Sequence, residues 1–151
     1  MLHGWLAGAL VAVVLAAGCT AHPVGPARTF GKYEGKAATT AESALSAVQT
    51  ARLVASAASR GNAFGPYTSS VVSDAEETVS GLAGTFGSIQ PPDARADDLR
   101  DELQQLLSDA LDHVTAVRVA ARRGDLPHLD AIAAPLAGDA EKLQAFTEAH
   151  G

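Results

Sequence analysis

Apolar residues recur along this chain with the period of an amphipathic helix. Beyond residue 36 they return every three or four positions in four separate stretches, as on a helix with one buried face. Glycine and proline separate these stretches, and no segment alternates between apolar and polar residues as a half-buried strand would. We therefore expect helices over residues 37–60, 66–89, 93–123 and 126–149.

The first two predicted helices have recognisable starts and stops. Thr39 and Glu42 have the spacing of a capping box, in which each side chain accepts a hydrogen bond from a free backbone N–H near the helix start. Gly61 is expected to end the first helix. Pro66 fits the first turn of the second helix, where its missing N–H would have no partner anyway.

Small residues form a strip along the second predicted helix. They are Ser73, Ser80, Gly84 and Ser88. Glycine and serine lower the intrinsic helix propensity, so this helix is expected to depend on packing against its neighbours. The strip is consistent with a solvated or closely packed face, and a ligand groove is the alternative.

The charges of the third predicted helix complement its macrodipole. The acidic residues at its start are Asp93, Asp97, Asp98, Asp101 and Glu102, and the basic residues at its end are Arg118, Arg122 and Arg123. Carboxylates stabilise a helix start and guanidinium groups stabilise a helix end. Two alternatives remain open, a weak calcium site at the acidic end and contact with anionic lipid or phosphate at the arginine end.

The fourth predicted helix is interrupted. Asp125 is placed to cap it, and Pro127 is tolerated in its first turn. Pro135 lacks a backbone donor and clashes with the preceding turn, so we expect a kink or break there. Asp139 is then placed to cap a second half.

Four amphipathic helices with short connections predict an all-α fold. The specific expectation is an antiparallel four-helix bundle in up-down-up-down order over residues 37–150. Its abundant alanine predicts a thin core with closely packed helices. A looser bundle, or one completed by dimerisation, is the alternative.

The N-terminal segment has the pattern of a secretory signal. Residues 5–17 are apolar apart from glycine, a run of about 13 residues, whereas a membrane-spanning helix needs about 20. The length suits the apolar region of a signal peptide. Small residues at positions 16–18 are followed immediately by Cys19, the chain's only cysteine.

This arrangement, Leu15-Ala16-Ala17-Gly18-Cys19, resembles the lipobox of bacterial prolipoproteins. The resemblance covers only the start of the chain and implies that residues 1–18 are a signal peptide. It also implies cleavage between Gly18 and Cys19, and lipidation of the Cys19 thiol with a diacylglyceryl group. Ordinary secretion, an uncleaved anchor, and a buried cysteine that ends an apolar helix are the alternatives.

Residues 19–36 are predicted to be the lipidated cysteine and a flexible tether. Prolines and glycines interrupt any helical period here, at Pro23, Gly25, Pro26, Gly31 and Gly35. Phe30 and Tyr33 are the large apolar residues of the segment. We expect them to pack on the edge of the helical domain, and binding of a partner is the alternative.

The composition limits the chemistry that this chain can perform. Its net charge of -6 disfavours nucleic acid, whose phosphates need a basic surface. One cysteine cannot form an internal disulfide or a zinc site of several thiolates. Asp109 and His113 have i, i+4 spacing, which indicates an ordinary pair at the edge of the core or, alternatively, an oriented imidazole. We find no hydrolase, phosphate-loop or metalloprotease motif, and we predict no metal site and no cofactor.

The sequence therefore supports a hypothesis about location more directly than one about biochemistry. We expect a lipid-anchored, non-catalytic protein on the extracytoplasmic face of the bacterial cell membrane, held in the lipid through Cys19. Its bundle would be a binding or scaffolding module for another protein or component of the envelope. The first alternative is a small-ligand carrier with an apolar pocket near Pro135 or the glycine-rich second helix. The second is an enzyme, in which a cleft would bring His113 together with carboxylates from another helix.

Overall fold

A computed structural model describes residues 27–151, and these residues form an all-helical fold. The α-helices are α1 (Phe30–Ser59), α2 (Gly65–Gly87), α3 (Ala94–Arg122), α4 (Leu129–Ile132) and α5 (Leu136–His150), with a 3-10 turn over Leu126–His128. No strand occurs in this range, which confirms the predicted fold class. None of these helices has the length and apolarity to cross a bilayer. The predicted signal peptide and lipidation site lie outside the described residues.

Helix α1 is the centre of the packing and contacts α2, α3 and α5. Eight of its eleven buried residues are alanine, so its neighbours can approach its backbone closely. The neighbouring helices supply the larger side chains of the core, and four of their leucines are fully buried: Leu103, Leu107, Leu136 and Leu143. Each of these buried leucines contributes about 1.5–3 kcal/mol of transfer free energy.

Contacts between helix ends show how the helices pack side by side. The Tyr33 ring near the start of α1 packs against the Phe86 ring near the end of α2, with centroids 5.2 Å apart. The Gln104 side chain of α3 donates a hydrogen bond to the Ala83 carbonyl of α2. Helix packing of this kind is consistent with a bundle.

The start of α1 differs from the prediction, because the helix begins at Phe30 rather than at residue 37. The Thr29 hydroxyl caps it by accepting a hydrogen bond from the Lys32 N–H at 3.4 Å. Tyr33 is fully buried in the core rather than packed at its edge, whereas Phe30 is half-buried against the core. The described part of the predicted tether therefore shrinks to residues 27–29.

The predicted capping box at Thr39 is wrong for the same reason. Thr39 lies inside α1, and its hydroxyl donates a hydrogen bond to the Gly35 carbonyl one turn earlier. The predicted stop at Gly61 is confirmed, since α1 ends at Ser59 and Gly61 adopts a left-handed φ of 76°. Pro66 lies in the first turn of α2, as predicted.

The predicted bounds of the third helix agree closely with α3. The Asp93 carboxylate caps its start by accepting from the Ala96 N–H at 3.0 Å. At its other end, Gly124 reverses the chain with a φ of 77°. The break at Pro135 is also confirmed, because α4 ends at Ile132 and α5 begins at Leu136.

The two predicted caps of the fourth segment are wrong. The Asp125 carboxylate makes no capping bond and lies 2.5 Å from the His128 Nδ1 instead. Asp139 lies within α5 and is buried, so it does not begin a helix. Both carboxylates have an imidazole as their partner, and a periodicity pattern gives no sign of that pairing.

Candidate functional site

Helices α2 and α3 border an open groove of about 530 Å³. A polar cluster joins its two walls, because the Arg118 guanidinium of α3 forms an ion pair with the Glu76 carboxylate of α2. The Thr115 hydroxyl donates to the other oxygen of the same carboxylate at 2.7 Å. Both charged side chains are 22% exposed, so the pair is screened less than one on an open surface.

The walls of this α2–α3 groove are mainly polar. Ser73 and Ser80 of the predicted small-residue strip line it, together with Glu77, Asp112 and Arg122. Gly84 and Ser88, the other two members of the strip, are not among the lining residues. Both oxygens of the Glu76 carboxylate have partners on α3, so this cluster holds α2 against α3.

A second groove, of about 520 Å³, runs between α1 and the break at Pro135. The α1 wall contains Leu53, whose side chain is 70% exposed despite being apolar. The opposite wall is built from small side chains and one carboxylate, supplied by Asp130, Ala133, Ala134 and Ala137. An exposed leucine facing an alanine wall can accommodate an apolar side chain from outside the molecule.

These two grooves occupy the places where the sequence suggested an apolar ligand pocket. Each is open to solvent, and each combines polar with apolar walls. An apolar small molecule usually binds in a cavity that buries 70–90% of its surface. An open groove with mixed walls suits a side chain or short segment of a protein partner better.

His113 has a different partner from the one predicted. Its Nδ1 lies 2.7 Å from the Asp139 carboxylate of α5, whereas Asp109 accepts a hydrogen bond from the Gln105 side chain. The predicted i, i+4 pair of Asp109 and His113 is therefore wrong. Asp139 is 4% exposed, so the imidazole supplies the hydrogen bond that a buried carboxylate needs.

This His113–Asp139 pair links α3 to α5. The geometry fixes one imidazole nitrogen on the carboxylate, which is the arrangement of an oriented histidine. Neither residue lines the two grooves described above. The pair therefore forms a polar contact that holds α5 against α3.

At the acidic start of α3, the Asp93 carboxylate caps the helix, and two arginines lie close to Asp93 and Asp97. Arg100 lies 3.2 Å from Asp97, and Arg95 lies 3.8 Å from Asp93, the capping residue. The Arg95 guanidinium also stacks over the Phe30 ring at 4.2 Å. Within residues 27–151, no group of three or more His, Cys, Asp or Glu side chains is arranged to hold a metal ion.

The opposite end of the helices carries an exposed surface that the sequence did not reveal. Phe64 is 68% exposed and Tyr67 is 53% exposed, and their rings lie 5.9 Å apart. Phe64 immediately precedes α2 and Tyr67 lies in its first turn, both outside the predicted apolar stripes. This position was the only indication of their exposure that the sequence contained. We define the distal tip as these two aromatics together with three exposed arginines, Arg60, Arg122 and Arg123.

Comparison with known proteins finds no matching protein-family model, no matching curated protein and no matching solved structure. The predicted cleavage site between Gly18 and Cys19 lies outside the described residues. Cleavage before Cys19 and lipidation of its thiol therefore stay predictions from the sequence.

Proposed function

We propose that this chain is a lipid-anchored protein of the bacterial cell envelope. The supporting observation is the apolar segment that ends in small residues and the single cysteine, Cys19. In this proposal the acyl chains on Cys19 hold the protein on the extracytoplasmic face of the membrane. Stable anchoring needs more than one acyl chain, and a diacylglyceryl group supplies two.

The anchoring proposal is tested by Cys19→Ser in cells. Because the chain has one cysteine, radiolabelled palmitate can enter through a thioether-linked lipid only at this residue. We expect the variant to lose the label and to keep its uncleaved mass, because no lipid is attached and residues 1–18 are not removed. Thr20→Ser is the matched control and should behave as the unaltered chain does. Equal label and an equally cleaved mass in Cys19→Ser would refute the proposal.

The helices beyond the anchor are proposed to form an up-down-up-down bundle of α1, α2, α3 and α5. Support comes from contacts that join the start of α1 to the end of α2 and to the end of α5. Tyr33 meets Phe86, and Glu34 of α1 lies 3.0 Å from His150 of α5. Gln104 and Arg118 of α3 contact Ala83 and Glu76 of α2 in the reverse order along the chain.

The helical domain is proposed to bind another envelope protein rather than to catalyse a reaction. The observation that carries this proposal is the groove lined by Leu53, because it is open, partly apolar and wide enough for side chains of a partner. Burial of Leu53 by a partner would remove its apolar surface from water at about 25 cal/mol per Å².

Site-specific photo-crosslinking in intact cells tests this binding proposal. A photoreactive residue replaces Gln49, which is exposed and lines the Leu53 groove, or Glu102, which is exposed on α3. We expect one discrete crosslinked product from position 49 that disappears when Leu53→Glu is added. Position 102 is the control and should give none. Equal crosslinking from both positions, or a product that persists with Leu53→Glu, would contradict the proposed interface.

A further inference from the structure

The distal tip combines the two kinds of side chain that favour a membrane interface. Phe64 and Tyr67 present two neighbouring aromatic rings to solvent. Aromatic side chains prefer the boundary between lipid headgroups and acyl chains, and exposed arginines are attracted to anionic headgroups. The tip therefore has the composition of a surface that contacts lipid.

The distal tip is built from two connections that hydrogen bonds hold together. Arg60 and Phe64 belong to the connection between α1 and α2, and Arg123 begins the connection after α3. The Ser59 hydroxyl at the end of α1 donates to the Leu126 carbonyl at 3.1 Å and accepts from the Asp130 N–H at 2.8 Å. A Cβ placed on Gly65 would lie 3.8 Å from the Leu126 side chain. The segment after α3 therefore lies against the end of α1 and the start of α2. This packing brings Arg122 and Arg123 to the same end of the molecule as Phe64 and Tyr67.

The charge of the tip is opposite to that of the chain. The whole chain carries a net charge of -6, yet the tip contributes three arginines. Of the nearby carboxylates, Asp125 is engaged by His128 and Asp130 is exposed. Further along the α2–α3 groove that Arg122 also lines, Glu76 is paired with Arg118, and Glu77 and Asp112 line the walls. The acidic residues of α3 are concentrated at its start, at the other end of that helix. An anionic surface would therefore meet the molecule most favourably at the distal tip.

We propose that the distal tip binds the surface of an anionic lipid bilayer. The Phe64 and Tyr67 rings enter the headgroup boundary, and Arg60, Arg122 and Arg123 pair with lipid phosphates. The bilayer, rather than a free phosphate ion, is the partner, because two exposed aromatic rings have no role in binding a small anion. Each arginine removed is expected to weaken binding about fivefold.

The proposed anchor fixes how the tip would approach the membrane, and this orientation rests on the proposed function. Helix α1 has 30 residues and spans about 45 Å. Residues 20–29 can extend at most about 36 Å from Cys19. With the helices upright and the tip facing the bilayer, the start of α1 would lie about 45 Å away, beyond the reach of residues 20–29. The tip can therefore contact the anchoring bilayer only when the helices are tilted.

Fluorescence of a labelled full-length chain tests the lipid contact without the anchor. In a Cys19→Ser background, a polarity-sensitive dye is attached through Asn62→Cys in the distal turn or through Ala94→Cys at the start of α3. Both positions are exposed. With vesicles that contain phosphatidylglycerol, we expect a blue shift at position 62 that is absent at position 94. Pure phosphatidylcholine vesicles should give a much smaller shift at position 62.

Two sets of variants separate the tip from other charges. Arg122→Gln with Arg123→Gln should weaken vesicle binding about 25-fold, and Phe64→Ser with Tyr67→Ser should abolish the blue shift at position 62. Lys142→Gln removes one exposed charge from α5 and should leave binding unchanged.

Equal shifts at positions 62 and 94, or tip variants that bind as the unaltered chain does, would overturn the proposal. So would full displacement of the vesicles by millimolar inorganic phosphate. Because the chain in this assay lacks the Cys19 thiol, these outcomes do not depend on lipidation. The comparison of positions 62 and 94 separates lipid contact at the tip from contact through the retained residues 1–18.

Discussion

Two aromatic pairs lie at opposite ends of the helices, and they differ in burial rather than in ring geometry. The Tyr33–Phe86 centroids are 5.2 Å apart and the Phe64–Tyr67 centroids are 5.9 Å apart. The first pair is buried, at 0% and 1% exposure, whereas the second pair is more than half exposed. The same kind of contact therefore stabilises the fold at one end and leaves apolar surface available at the other.

The position of each ring relative to the helical stripes explains this difference. Tyr33 precedes Ala37 by one turn on the buried face of α1, and Phe86 continues the buried face of α2. Phe64 and Tyr67 lie before the first buried residue of α2, Thr68. A ring on the stripe is carried into the core, whereas a ring in the turn before the stripe remains outside it.

Phe86→Ala should have the largest effect of any change that probes this comparison. It removes a ring from a packed core and leaves a cavity, so we expect a loss of about 3–5 kcal/mol of unfolding free energy. Phe64→Ala is the matched variant at the exposed end and should change stability by less than about 0.5 kcal/mol. Urea denaturation followed by circular dichroism measures both. Similar losses for the two variants would mean that the exposed pair also supports the fold.

The turns at the distal end depend on glycine, which sharpens the contrast between the two ends. Gly61 has a φ of 76°, and an L side chain is strained in this region, so Gly61→Ala should cost about 1–2 kcal/mol. Gly84 is exposed inside α2, with no atom within 4 Å of an added Cβ, so Gly84→Ala should gain about 0.5–1 kcal/mol. Thermal unfolding monitored by calorimetry should show a lower melting temperature for Gly61→Ala and a higher one for Gly84→Ala. A neutral Gly61→Ala would show that this turn tolerates another conformation.

Apolar periodicity, together with the position of Pro135, was sufficient to predict the helical class, the bounds of α3 and the break before α5. It was insufficient at the start of α1, where Gly31 and Gly35 indicated a tether. Each glycine costs a helix about 1 kcal/mol relative to alanine. Burial of Tyr33 offsets that cost, and burial is a property of the packed bundle that local propensity does not contain.

Side-chain pairs between helices were beyond the sequence for a related reason. His113 and Asp139 are 26 residues apart, and their contact depends on how α3 and α5 pack. The spacing of Asp109 and His113 suggested a pair within one helix, but Asp109 lies with Gln105 instead. The arginines at the end of α3 were predicted correctly. That Phe64 and Tyr67 lie at the same end of the molecule could not be predicted, because it depends on how the segment after α3 packs against the start of α2.

Tyr33→Phe should change the free energy of unfolding least of these variants. The sign of that change tests whether the buried Tyr33 hydroxyl has a hydrogen-bond partner. The Tyr33 hydroxyl is buried and has no hydrogen-bond partner among the described residues, which costs free energy in the folded state. Removing it should leave stability at pH 7 unchanged or raise it by about 1 kcal/mol. Tyr67→Phe, at the exposed pair, is the control and should be neutral. A clear loss of stability in Tyr33→Phe would show that the hydroxyl is hydrogen-bonded in solution.

The same variant predicts a difference at alkaline pH. Burial raises the pKa of Tyr33 above its ordinary value of 10.0, and Asp97 and Asp101 raise it further while Arg100 opposes them. A raised folded-state pKa means that the neutral phenol is favoured by folding, so its contribution is complete below pH 10 and is lost as the pH rises further. Unfolding free energy should therefore fall more steeply above pH 10 in the unaltered chain than in Tyr33→Phe. Parallel pH profiles for the two proteins would show that the phenol ionises as freely in the folded chain as in the unfolded one.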